Sequence, residues 1–188
     1  MNSSIVKIRL GEPFKDQCIE SSRGKVLNKS MRGSEANLVG AYGEQIVLKY
    51  FKMFGIPFSF DDKTTHDIKT PCGTVEVKTK ERTVIPKTNY DCTVPAYNHE
   101  HQQADWFVFV SLLNNGLEGN RRFDRAFILG VANLETLKTR AKLWNVGMVD
   151  DSNGWKPKID CYNIKIYDLD PIDCLVDLNK NYKKAVYG

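Results

Sequence analysis

His66-Asp67-Ile68-Lys69-Thr70-Pro71-Cys72-Gly73-Thr74-Val75-Glu76-Val77-Lys78-Thr79-Lys80 is the stretch on which the reading of this chain turns. Pro71-Cys72-Gly73 is a turn signal between two runs of strand-forming residues, so the segment reads as a β-hairpin. In the second strand Val75 and Val77 alternate with Thr74, Glu76 and Lys78. Side chains alternate between faces along a strand, so Glu76 and Lys78 share one face while the valines take the core on the other. The first strand brings Asp67 to the same hairpin. Two carboxylates and a lysine are thereby gathered on one small element.

Hydrolysis of a phosphodiester needs a nucleophilic water, neutralisation of charge on the attacked phosphate, and help for the leaving oxygen. Carboxylates that hold Mg²⁺ supply most of this. Mg²⁺ takes oxygen ligands and keeps several waters, so two carboxylates and one main-chain carbonyl suffice from a protein. Asp67, Glu76 and the Val77 carbonyl are the expected ligands. Lys78 would orient or deprotonate the attacking water and stabilise the charge that develops. Glu44, on an upstream helix, would hold a second metal through water or position Lys78.

Composition allows this chemistry without demanding it. The chain has 188 residues, 41% hydrophobic and 27% charged, which fits one soluble domain with a proper core. No apolar run reaches the length of a membrane span, so no membrane partner is expected. The N-terminus MNSSIVKIRLGEP lacks a signal-peptide core. Cys18, Cys72, Cys92, Cys161 and Cys174 form no CxxC pair, which fits a reducing compartment and an intracellular, cytoplasmic location, with a phage-encoded origin open. The net charge of +4 favours a polyanionic partner only mildly. His66, His99 and His101 with Cys72 and Cys92 fit no standard zinc spacing.

Working outward from the hairpin, Leu38, Tyr42, Ile46, Val47, Tyr50, Phe51 and Phe54 recur at spacings of three and four. They predict a helix that Ser34 starts and Gly55-Ile56-Pro57 stops. Gly40 and Gly43 inside it each cost about 1 kcal/mol relative to Ala, which predicts close packing or close approach of a ligand. Before this helix, residues 1–34 read as an extended basic arm with a short strand at Ile5–Leu10, or simply as a solvated leader. After it, Pro57–Phe60 reads as a strand, Val84–Val94 as a polar loop, and 96–105 as a short helix opened by Pro95. Trp106–Val110 is the most apolar strand and is expected at the centre of the sheet. Phe123–Leu129 follows as a strand, then an amphipathic helix from Asn133 to Leu143, a strand around Cys161–Tyr167, and a basic tail from Pro171.

Glu44 on a leading helix, Asp67, then Glu76-Val77-Lys78 before a helix and an apolar strand resembles the PD-(D/E)xK nuclease superfamily. The resemblance covers about residues 35–130, with 1–34 as the arm and 131–188 as a C-terminal extension of one nuclease domain. It departs from the motif in having His66 where a proline often stands before the Asp. The fold it implies is α/β: a restriction-endonuclease-like core, a central mixed β-sheet flanked by helices, in the order helix, three antiparallel strands, helix, strand. The activity it implies is Mg²⁺-dependent cleavage of DNA, with Mn²⁺ substituting. A restriction or homing endonuclease acting as a homodimer is the first expectation. A Holliday junction resolvase or phage exonuclease is the alternative, and a catalytically silent DNA-binding protein the alternative of another class. Relatives often carry a Gln or Lys on the helix after the hairpin, and Gln102 and Gln103 are the candidates, with Gln103 preferred. Lys80, Arg121, Arg122, Arg125, Lys138, Arg140 and Lys142 are the expected DNA contacts, although each would serve equally as a solvated surface charge.

Overall fold

The computed structural model describes residues 5–23, 34–60, 66–96, 104–151 and 154–187. Among these residues the elements run β1 (Val6–Arg9), α1 (Glu12–Arg23), α2 (Ser34–Met53), β2 (Ile68–Thr70), β3 (Gly73–Arg82), β4 (Asp91–Pro95) and β5 (Trp106–Asn114). Then follow β6 (Phe123–Asn133), α3 (Leu134–Arg140), β7 (Lys142–Trp144), β8 (Cys161–Lys165), a 3₁₀ turn at Ile166–Asp168, and α4 (Ile172–Tyr187). The fold is mixed α/β. Its main sheet has the order β1-β6-β5-β3-β2, with β3 and β5 parallel and the other neighbours antiparallel. A second, antiparallel sheet has the order β4-β8-β7.

Two cores lie on the two faces of the main sheet. On one face α2 lays down Leu38, Tyr42, Ile46, Val47 and Phe51 against Val75, Val77, Val108 and Ile128, joined by Cys18 of α1 and Leu175 of α4. On the other, Phe107, Phe109, Phe127 and Leu129 meet Cys92, Val94 and Ile164 of the second sheet and Leu137 of α3. β5 is central and apolar on both faces, as expected, because both need covering. α2 ends as expected. Gly55 has φ +66°, its N–H donates to Lys52 C=O, and Ile56 N–H donates to Phe51 C=O, with the Ile56 side chain buried.

Residues 5–23 do not form an extended arm, and residues 24–33 lie outside the described residues. β1 forms the outer strand of the main sheet against β6, and α1 packs on α2. Gly11 C=O accepts from Phe14 and Lys15 N–H to start α1, and Pro13 sits in the first turn, where a missing N–H loses nothing. Pro57–Phe60 makes a single bridge, Ser59 to Lys69, instead of a strand, so the expected run of three antiparallel strands reduces to the β2–β3 hairpin. Asp91–Val94, expected as loop, and Pro95, expected to open a helix, form β4, because Cys92 and Val94 bury against the second core. Asn133 caps α3 as expected, its side chain accepting from Thr136 N–H at 2.8 Å. The helix stops at Arg140 rather than Leu143, since residues 142–144 pair with β8 and bury Trp144. The tail from Pro171 is α4, which closes the first core. The described residues of 131–187 therefore contribute to both cores. The expected helix at 96–105 falls largely on 97–103, outside the described residues. No helix among the described residues is long and apolar enough to cross a membrane.

Candidate functional site

The β2–β3 hairpin closes at Pro71-Cys72, with Thr70 opposite Gly73. Gly73 has φ +120°, and a Cβ there would stand 2.6 Å from the Asp105 carboxylate. That closeness lets Asp105 Oδ2 accept from the Thr74 N–H at 2.7 Å and from the Thr74 hydroxyl at 2.9 Å. The start of β3 is thereby locked to the start of β5.

Asp67 stands just before β2, where the chain enters the sheet. Its N–H donates to Val75 C=O at 3.1 Å, and its carboxylate Oδ2 accepts from Val77 N–H at 2.7 Å. The carboxylate takes the place that a further β2 residue would fill on the ladder. A residue's N–H and C=O point to the same side of a strand, so the Val77 carbonyl faces the edge that Asp67 occupies. Sheet pairing puts Glu76 and Lys78 level with Phe107 and Phe109, on the face opposite Val75 and Val77, as the period of two requires. Lys78 Nζ donates to Glu76 Oε1 at 2.7 Å.

Glu76 is 6% exposed. Burial first, then the charges of Asp67 and Glu44, push its carboxyl up to about 7, against the opposing pull of Lys78. Glu44 is itself buried on α2 and acts on Glu76 through its charge. The neighbouring Gly43 lies against Thr79 of β3, and a methyl group there would overlap the Thr79 side chain. Close packing at Gly43 agrees with expectation. At Gly40, one turn earlier, a Cβ would meet no described atom.

The structure thus brings Asp67, Glu76, Val77 and Lys78 together, and the charge of Glu44 reaches Glu76. Gln102 and Gln103, with His99 and His101, lie outside the described residues. Among the described residues no three His, Cys, Asp or Glu side chains converge as a metal cage. The oxygen set available is two carboxylates and a main-chain carbonyl, the hard donors that suit Mg²⁺ rather than zinc.

The basic residues fall into several groups. Arg122 is buried, with Nε and Nη2 on the two oxygens of Glu81 at 3.0 and 2.9 Å. Arg121 binds Glu12 at 2.6 Å and also Asp16, both on α1. Arg140 donates to Asp168 C=O and to the Asp170 carboxylate. Lys142 is on β7, its ammonium 3.6 Å from the Trp144 ring centroid, and Trp144 meets Trp155 edge to face. Arg125, Lys138 and Lys80 are exposed. Arg82, the next residue along the Glu76–Lys78–Lys80 row, was not singled out from sequence, although the same alternation reaches it. No protein-family model matches the chain, and no curated protein or solved structure matches it.

Proposed function

We propose that the protein is a Mg²⁺-dependent DNA endonuclease of the PD-(D/E)xK kind, with its active centre on the β2–β3 hairpin. The observation that carries the reading is the Asp67 carboxylate on the Val77 N–H, beside Glu76 and Lys78 on the adjoining strand. A leading helix bearing Glu44, the β2–β3 hairpin and an apolar strand follow in chain order, the hairpin standing where the resemblance implies three antiparallel strands.

Asp67, Glu76 and the Val77 carbonyl would hold the ion. Bound there, Mg²⁺ would offset charge on the attacked phosphate and make a water more acidic. Asp67 and Glu76 repel each other in a poorly solvated place, and a divalent cation between them would remove that repulsion. Lys78 would exchange its bond with Glu76 for one with the attacking water or a phosphate oxygen. Water oxygen then bonds to phosphorus as the bond to the leaving oxygen breaks, and the leaving oxygen takes a proton. Cleavage of both strands of a duplex would take two copies of this site.

The test is incubation of supercoiled plasmid with Mg²⁺ and either wild type, Asp67→Ala or Lys78→Ala. Nicking by wild type that both variants lose supports the reading. Full activity in Asp67→Ala would overturn the site, and binding without nicking by wild type would favour the silent DNA-binding alternative.

A further inference from the structure

Beyond Lys78, the same face of β3 carries Lys80 and Arg82, and the β3–β5 register runs without a break from Val75 to Arg82. Alternate residues on a strand lie about 6.7 Å apart, a spacing comparable to that between successive phosphates of one nucleic-acid strand. Two acids near this row have hydrogen-bonded partners of their own. Glu81 projects to the opposite face and is held by Arg122 and Asn114. Asp91 is held by Lys165 at 2.9 Å.

Arg82 is the unusual member. Its Nη2 donates to Asp91 C=O at 2.9 Å, its guanidinium lies 5.1 Å from the Tyr90 ring centroid, and no carboxylate among the described residues pairs with it. Its Nε is shielded from solvent and has no acceptor there. The Asp91 carboxylate acts on Arg82 only through its charge, and an anion arriving beside the half-buried guanidinium would offset more of the cost of burying it. Lys80, between Lys78 and Arg82, is exposed.

We propose that Lys80 and Arg82 extend from Lys78 as a phosphate track, binding successive phosphates of the DNA strand on one side of the bond to be cut. The choice of ligand rests on the nuclease reading. The track binds backbone and reads no bases, so it contributes affinity and register without sequence preference.

The test is fluorescence anisotropy of a labelled DNA duplex in Ca²⁺, which holds the complex uncut, over a series of salt concentrations. Each phosphate contact contributes about 0.9 to the slope of log K against log salt. Lys80→Ala and Arg82→Gln are each expected to lower the slope by about that amount and the affinity several-fold. Lys80→Ala should leave the melting temperature unchanged. Lys7→Ala, an exposed lysine on β1 at the far edge of the sheet, should leave the slope alone. Wild-type slopes in both track variants, a Lys7→Ala loss equal to that of Lys80→Ala, or no binding of DNA by wild type each overturns the track. Plasmid nicking by wild type with unaltered slopes removes the track alone. Slope losses without any nicking support the track and remove the nuclease reading.

Discussion

The Asp67 carboxylate accepts a 2.7 Å hydrogen bond from the Val77 N–H, so an acid side chain extends the ladder just before β2 begins. The contact has a structural part and a charge part, and two substitutions separate them. Asp67→Asn keeps an oxygen acceptor for Val77 and removes the charge. Thermal unfolding should be little changed, while under the proposed nuclease reading nicking in Mg²⁺ should fall at least about 100-fold, the scale of losing a group that acts directly on transition-state charge. Asp67→Ala also leaves the Val77 N–H without its partner and should lower stability by about 1 kcal/mol.

The burial of Glu76 gives a pH signature in metal-free protein. Its folded-state value of about 7 lies above the ordinary 4.5, so the folded state holds a proton that the unfolded chain has lost between those values. Stability from this group is therefore fully present below about pH 4.5 and is lost as pH rises through 7, by on the order of 3 kcal/mol. The melting temperature in EDTA should fall between pH 5 and pH 8 by more in wild type than in Glu76→Gln. Millimolar Mg²⁺ should restore wild type at pH 8 and leave Glu76→Gln where it was, because only an ionised site gains from the cation. A wild type that ignores Mg²⁺ at pH 8 would argue against the proposed ligands.

Gly40 and Gly43 share a helix and should respond oppositely to the same change. Replacing helical Gly by Ala gains about 1 kcal/mol of propensity. At Gly40 the new methyl meets no described atom, so Gly40→Ala should raise the melting temperature. At Gly43 it overlaps Thr79, and the overpacking cost of about 1–3 kcal/mol exceeds the gain. Gly43→Ala should therefore melt lower, and adding Thr79→Ala should recover part of the loss. Because Glu44 is the next residue, Gly43→Ala should also reduce nicking more than its stability loss explains.

What could be read from the sequence was what repeats. The stripe of α2, the alternation of β3 and the unbroken apolar run of β5 each bury many side chains in one pattern, so the site's scaffold was visible. α1 was not, because only Phe14, Cys18 and Ile19 mark its inner face, and its register is set by packing on α2. β4 rests on two buried residues, Cys92 and Val94, and β7 on Trp144. Both exist because a partner strand is present, which no local pattern encodes. Pairings such as Arg122 with Glu81 or Arg121 with α1 are likewise tertiary, and sequence gave these arginines only a charge.

Arg122 illustrates how the structure divides the basic residues by role. It is buried and forked onto Glu81, whose carboxyl is held below its usual range chiefly by the Arg122 hydrogen bonds. Removing the arginine would leave Glu81 with Asn114 alone and open a gap beside Phe123, on whose ring the guanidinium lies. Arg122→Ala should cost about 1–3 kcal/mol, less than a fully buried pair because Glu81 is partly exposed. The lowered Glu81 value means that this contribution is present above the ordinary carboxylate range and is lost as pH falls through the lowered value. The difference in melting temperature between wild type and Arg122→Ala should thus narrow in acid. Exposed Arg125 and Lys138 should behave in reverse, with melting unchanged on substitution by Ala and only salt-sensitive DNA affinity open to loss. If Arg122→Ala melts like wild type at pH 7, the fork onto Glu81 contributes no stability, and Arg122 returns to the set of candidate phosphate contacts.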